Sequence, residues 1–269
     1  MAAPTRPDRT RFSRELTPAW LATTALLAGE RPPELDRPLR YVHLGCGRGE
    51  TAAVVAAAHP TAEVWAWDWK PQHVDATRRL RDGAGLGNLG VHERPGLPED
   101  LGGGPADVVV VQEVLATAGE ELHLAVADAI RASLRPGGLV CVTYPTLAGW
   151  SEVAPVQALL REVARRHRGD PEEAVPEALE LLAELRAGGA RYLTERPAVA
   201  GWIDHLATLA PADLAATYLD DALLPLSPAR VAGLLAPIGC TLLGSARLTD
   251  ELGVGLALLP TLIQLVDRG

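Results

Sequence analysis

The chain has 269 residues, enough to bury a full α/β core with a smaller region appended, and its 48% apolar content excludes disorder over most of its length. A formal net charge of -9 argues against nucleic acid or an anionic membrane as the main partner. The cations are nearly all arginine, Lys70 being the only lysine, a bias better explained by a GC-rich coding sequence than by phosphate binding.

Residues 1–11 are polar, with no apolar run directly behind them, so no secretory signal is expected; residues 5–11, rich in Pro and Arg, read as disordered. Residues 16–29 read as a helix, with Thr17-Pro18 as cap and first turn and Gly29 as its stop. A proline-rich connector leads into a short apolar strand over 39–44, a glycine-rich turn over 45–49 and an alanine-rich helix over 50–59. The pattern repeats: a strand over 63–67 stopped by Asp68, a helix over 71–81, and a weak strand over 89–92. Residues 107–111 form a run of β-branched residues suited to a strand buried on both faces, followed by a helix over 120–134. The turn Arg135-Pro136-Gly137-Gly138 then opens a fifth strand over 139–144.

Strands and helices alternating at this spacing predict a doubly wound, mostly parallel α/β sheet of the Rossmann-like kind. Beyond it, helical periodicity recurs over 153–166, 176–187 and 228–235, and 240–247 reads as a strand able to rejoin the sheet. The apolar stretch 252–266 is shorter than the roughly 20 residues of a spanning helix and contains Pro260, so it reads as buried core. The expected organisation is an N-terminal arm and helix (1–38), a Rossmann-like ligand-binding domain (39–150) and a mostly helical cap (151–269). That last region is expected to cover the ligand site, shape a second pocket or mediate dimerisation.

Such sheets bind ligands beyond the carboxyl ends of their strands, which directs attention to 44–49, 68–69, 112–113 and 144–150. Gly45, Gly47 and Gly49 alternate between a strand and a helix, where glycine tolerates positive φ and the helix start offers free N–H groups to a carboxylate or phosphate. Glu50 breaks the G-x-G-x-x-G of a dinucleotide site, which makes a nicotinamide oxidoreductase a distant reading, and no lysine follows to complete a phosphate-binding loop. The G-x-G-x-G run fits an adenosyl amino acid better. Asp68 stands about 20 residues on, as an acid that chelates a ribose diol should, and Trp69 offers a flat face to an adenine ring.

The segment His43-Leu44-Gly45-Cys46-Gly47-Arg48-Gly49 resembles the glycine motif of class I S-adenosylmethionine-dependent methyltransferases, and Leu134-Arg135-Pro136-Gly137-Gly138-Leu139-Val140 resembles their lead into the fifth strand. Residues 14–18, 31–38, 144–150, 154–156, 159–161, 188–192 and 244–246 are similar to bacterial members that carry a methyltransferase regulatory domain. The resemblance implies S-adenosylmethionine as methyl donor, with His43, Gly45, Cys46, Gly47, Gly49, Asp68, Trp69 and Gln112 as its candidate ligands, and a helical domain over the acceptor side. Some relatives methylate protein lysine side chains, so protein side chains and small molecules both stand as acceptor classes.

Several positions depart from that family's pattern. His43 replaces a Glu or Asp that anchors the methionine end of the donor, or else is a histidine bonded to backbone at a strand end. Pro95 replaces a small polar or acidic residue near the adenine edge. Gln112, Glu113, Leu115 and Thr117 stand where the family has a histidine followed by aromatics. Tyr218-Leu219 leads into Leu223-Leu224-Pro225-Leu226 instead of an aromatic cluster, and relatives run further past the position of Gly269.

Methyl transfer is an in-line displacement, so a protein mainly positions the reactants, and a base is needed only where the acceptor must lose a proton. Glu113 is the first candidate base, against the plainer reading of a solvated loop carboxylate. Tyr144 either orients an amine or hydroxyl acceptor or is a core tyrosine with its hydroxyl at the surface. Trp150 either walls the acceptor site or anchors the next helix. Trp65 and Trp67 read as core, and His123 as a surface residue of its helix. Residues 170–173 read as an acidic helix start, and no His, Cys or acid cluster has metal-ligand spacing, so no metal is expected. Three scattered cysteines, Cys46, Cys141 and Cys240, suit a reducing cytoplasm. Two function classes therefore stand: an active methyltransferase, or an inactive relative of that fold that serves as a binding or regulatory partner.

Overall fold

The computed structural model describes residues 12–92, 97, 103–116, 119–167, 171–219, 224–247 and 261–266. The expectations for 5–11, Pro95, Thr117, Asp170, Leu223 and 252–260 lie outside them.

Seven strands form one sheet in the order β3-β2-β1-β4-β5-β7-β6. Five of them are parallel: β1 (Arg40–Leu44), β2 (Glu63–Trp67), β3 (Leu89–Val91), β4 (Ala106–Gln112) and β5 (Leu134–Thr143). The parallel stretch matches the strand positions read from the sequence, because runs such as Val108-Val109-Val110-Val111, buried on both faces, suit only the middle of a covered sheet. At the far edge β7 (Thr261–Val266) lies antiparallel between β5 and β6 (Cys240–Ser245), so the late strand does rejoin the sheet.

Alternation along the strands divides the core. Tyr41, Val64, Ala66, Val108, Val110 and Cys141 meet α1 (Pro18–Leu27) and α2 (Glu50–Ala58), with α3 (Pro71–Gly83) alongside. Val42, Leu44, Trp67, Val109, Val111 and Val142 face α4 (Glu120–Ser133) and a continuous helical layer. That layer comprises α5 (Leu147–Trp150), α6 (Ala154–Arg166), α7 (Val175–Ala187), α8 (Arg191–Thr194), α9 (Pro197–Leu206), α10 (Pro211–Leu214) and α11 (Pro228–Leu235). Among the described residues no helix is long and apolar enough to cross a membrane.

Three local readings are corrected. The first helix starts at Pro18, not residue 16, because Thr17 is extended and Leu16 belongs to a separate tight turn, Arg14–Leu16. The segment Arg135-Pro136-Gly137-Gly138 is not a turn ahead of β5 but a bulge within it: Leu134 pairs with Ala106 and Leu139 with Val108. His123 is buried, with Nε2 at 2.7 Å from the Leu115 carbonyl. It shares the inward face of α4 with Val126, Ala127 and Ile130, the i+3, i+4 and i+7 positions.

The bulge closes over Asp107, whose side chain is fully buried at the start of β4. Its carboxylate accepts from Arg37 Nη2 at 2.6 Å and the Arg40 backbone N–H at 2.7 Å, and pairs with Arg135 Nη1 at 2.8 Å. One acid thus ties the connector before β1, β1 itself and the β5 bulge together. Removing it leaves a buried N–H unpaired and two partly exposed arginines without their carboxylate, a change that costs about 1–3 kcal/mol. Asp107→Ala is expected to lower the unfolding free energy measured in urea by that much at unchanged m-value, whereas Arg37→Ala, removing a partly exposed partner, is expected to cost about 1 kcal/mol.

Candidate functional site

The glycine turn leaves β1 at the carboxyl edge of the sheet. Gly45, Gly47 and Gly49 all have positive φ, at +73°, +58° and +85°, so the alternation read from the sequence answers a real backbone requirement. Contact adds a second requirement: a Cβ on Gly45 would lie 2.2 Å from the Gln112 carbonyl oxygen, and one on Gly49 would lie 2.5 Å from the Thr77 methyl. The turn therefore packs directly on the end of β4 and on α3, and delivers the chain to the N-terminus of α2. Cys46, within the turn, is buried, and burial first and then the charge of Asp68 push its thiol up to about 12. It remains a neutral packing group.

Asp68 is buried at the end of β2, and its carboxylate holds the turn. Oδ2 accepts the Gly47 N–H at 2.9 Å; Oδ1 accepts the Lys70 N–H at 2.9 Å and faces His73 Nδ1 at 3.1 Å. Three of about four lone-pair positions are thus engaged. Trp69 beside it is 43% exposed, its ring 6.0 Å from that of Trp67 and tilted by 48°.

His43 does not bond to backbone. It is wholly buried, and its Nε2 lies 2.9 Å from Gln112 Oε1 on the neighbouring strand. With that oxygen as acceptor, Nε2 carries the proton and Nδ1 a lone pair, which is buried without a partner. Burial lowers the imidazole from its usual 6.5 to about 4, opposed by the Gln112 hydrogen bond and the charge of Asp68, so His43 is neutral near pH 7. Glu50, opening α2, also has one buried carboxylate oxygen without a partner.

On the acceptor side, Glu113 directly follows β4 and is partly exposed. Tyr144, after β5, is fully buried and its hydroxyl has no partner, so the reading of a hydroxyl at the surface is corrected; burial raises its ionisation well above the usual tyrosine range. Trp150 is buried and donates its indole N–H to Gln157 Oε1 of α6 at 2.7 Å, the helix-anchoring arrangement.

The structure gathers His43, Gly45, Cys46, Gly47, Gly49, Asp68 and Gln112 into one bonded or contacting set. It also adds residues that sequence reasoning passed over. His73 and Thr77, one turn apart on α3, reach the Asp68 carboxylate and the Gly47 carbonyl; Thr77 Oγ1 lies 3.4 Å from that oxygen. The signal available was Pro71 as a first helical residue, which puts the third, His73, over the end of β2. Trp202, Tyr218 and Gln157 carried no local signal. Among the described residues no group of three or more His, Cys, Asp and Glu is placed to hold a metal ion.

Residues 42–140 match a family model described as a methyltransferase domain. The structure of PKMT2 from Rickettsia typhi in complex with AdoHcy superposes with a TM-score of 0.74 at 16% identity, covering 99% of this chain and 56% of that one. An O-methyltransferase family protein from Burkholderia thailandensis aligns with a TM-score of 0.51 at 18% identity, over 92% of this chain and 56% of that one. In sequence the chain is 27% identical over 242 residues to an uncharacterised protein of Synechocystis sp., covering 89% of this chain and 47% of that protein. It is also 24% identical over 150 residues to one of Rickettsia prowazekii, covering 56% and 58%. The chain therefore spans about half the length of the curated relatives it matches. The parallel strands, ordered 3-2-1-4-5, carry the Rossmann-like methyltransferase fold.

The neutral histidine beside the turn makes the domain's stability depend on pH. His43 binds its proton more tightly in the unfolded chain, at about 6.5, than in the folded one, at about 4, so acid favours unfolding. The contribution is complete above about pH 6.5 and declines towards pH 4, by at most about 3 kcal/mol. Urea midpoints measured at pH 7 and pH 4.5 are expected to fall more steeply for the native protein than for His43→Gln, which lacks the titrating ring.

Proposed function

We propose that the chain is an S-adenosylmethionine-dependent methyltransferase acting on a protein side chain or a small-molecule acceptor. The observation that carries the reading is the Asp68 carboxylate clamped to the glycine turn. A buried acid at the end of β2, joined to the Gly47 N–H and keeping one lone-pair position open, suits a ribose hydroxyl. The positive-φ glycines leave backbone, not side chains, facing a ligand. The free N–H groups at the start of α2 suit the donor's carboxylate, and the bare Nδ1 of His43 suits its ammonium group. Trp69 offers a ring face to adenine, and Gln112 orients His43. When bound, the donor supplies a methyl group activated by its positive sulfur.

The chain's own task is to hold an acceptor against that methyl and to keep water out. Glu113 supplies a carboxylate at the strand ends to hold or accept a proton, and Tyr144 a buried hydroxyl to orient the acceptor. Trp150 serves the acceptor side indirectly, by fixing the helical layer above it. That layer works as a cap over the site. The similarity to PKMT2 and the family resemblance read from the sequence favour a protein lysine among the acceptors.

Calorimetric titration with S-adenosylmethionine and S-adenosylhomocysteine tests the donor site. Micromolar binding is expected, with at least a tenfold loss in Asp68→Ala, the ~1.4 kcal/mol or more that a hydrogen bond to a charged group contributes. Absence of binding by the native chain would reject the enzyme reading in favour of a binding or regulatory partner built on the same fold.

A further inference from the structure

The spacing of Asp68 behind the glycine turn predicts an acid that chelates both hydroxyls of a ribose diol. In the folded chain one of its two oxygens is taken up by the protein itself. Oδ1 accepts the Lys70 N–H at 2.9 Å, the local turn that an aspartate favours two residues ahead of its partner. The same oxygen faces His73 Nδ1 at 3.1 Å. A carboxylate only accepts hydrogen bonds, so that nitrogen carries the proton and donates it. Two donors thus fill the two lone-pair positions of Oδ1. Oδ2 accepts the Gly47 N–H at 2.9 Å and keeps the one position still open.

His73 has little room to withdraw from this contact. It is buried, as the third residue of α3 behind Pro71 and Gln72. Its backbone N–H donates to the Lys70 carbonyl at 2.9 Å, and its carbonyl accepts from Thr77 Oγ1 at 2.9 Å. Thr77 in turn lies against the glycine turn, with Oγ1 3.4 Å from the Gly47 carbonyl and a methyl that leaves no space for a Cβ on Gly49. The helix, the turn and the acid therefore hold one another at fixed distances. Turning Oδ1 outward to reach a ligand would break two hydrogen bonds of a buried group in order to make one.

We infer that His73 is a positioning residue that limits Asp68 to a single ribose hydroxyl of the donor, leaving the second hydroxyl unread by the acid. The inference rests on the methyltransferase reading and deepens it. The imidazole occupies the position on Oδ1 that a second hydroxyl would need, and Oδ2 beside Gly47 has room for one. The ligand class is an adenosyl amino acid of which one ribose hydroxyl is required and the other is dispensable.

Calorimetric titration with S-adenosylhomocysteine and with its 2′-deoxy and 3′-deoxy forms tests this. In the native chain one deoxy form is expected to bind at least about tenfold more weakly than the parent, and the other within about threefold of it. Comparable losses for both forms, or for neither, would overturn the single contact. His73→Leu removes the N–H at similar size and opens Oδ1, so both deoxy forms are then expected to lose affinity relative to the parent. His73→Asn, whose amide N–H can stand in for Nδ1, is expected to keep the difference between them. A merely structural role for His73 would weaken all three ligands by one common factor in His73→Leu, and unchanged ratios there would refute the assignment. Failure of the native chain to bind S-adenosylhomocysteine at all would instead remove the methyltransferase reading beneath it.

Discussion

The site depends on how closely the glycine turn can approach the neighbouring strand. β1 and β4 are paired with Leu44 opposite Val111, so the chain leaving β1 must pass over the end of β4. It does so with no room for a side chain, since a Cβ on Gly45 would enter the Gln112 carbonyl. That contact aims the Gly47 N–H at Asp68 and sets the start of α2 beside it. The geometry of the turn, the buried acid and the helix start are therefore one constraint with three expressions. Loss of the close approach would displace all of them together.

The two ends of the parallel strands solve opposite problems. At the amino end, Asp107 is held by two guanidinium groups and a backbone N–H. This arrangement satisfies a buried charge and fixes three chain segments. At the carboxyl end, polar groups are left less than satisfied: His43 Nδ1, one Glu50 oxygen and the Tyr144 hydroxyl are buried without partners. Folding alone would select against such groups, because each costs on the order of 1–3 kcal/mol. These three lie at the edge where the proposed donor and acceptor would bind.

The departures from the family's motif acquire physical meaning in the same way. Where the resemblance led one to expect an acid, His43 is a neutral group whose Nε2 proton is directed to Gln112, so residues 43 and 112 act as a pair. Trp150, Trp202 and Tyr218, drawn from three separate segments, pack into one aromatic cluster.

What the amino-acid sequence determined by itself was local. The β-branched run of β4, the alternating glycines, Asp68 after β2 and the helix starts at Pro71 and Pro228 each act through neighbours a few residues away, so the parallel sheet and its alternation with helices were legible. The bulge over Asp107 was not, because a Pro-Gly-Gly segment reads as a turn until a buried acid and its arginines pull it into the strand. Nor was the burial of His123, where a single polar residue on an amphipathic helix gives no sign of the carbonyl waiting for it. The pairing of His43 with Gln112 spans 69 residues, and that of Gln157 with Tyr218 spans 61. Only tertiary structure decided these contacts, because a buried hydrogen bond or ring contact depends on which distant segment packs opposite, and no periodicity within either segment encodes its partner.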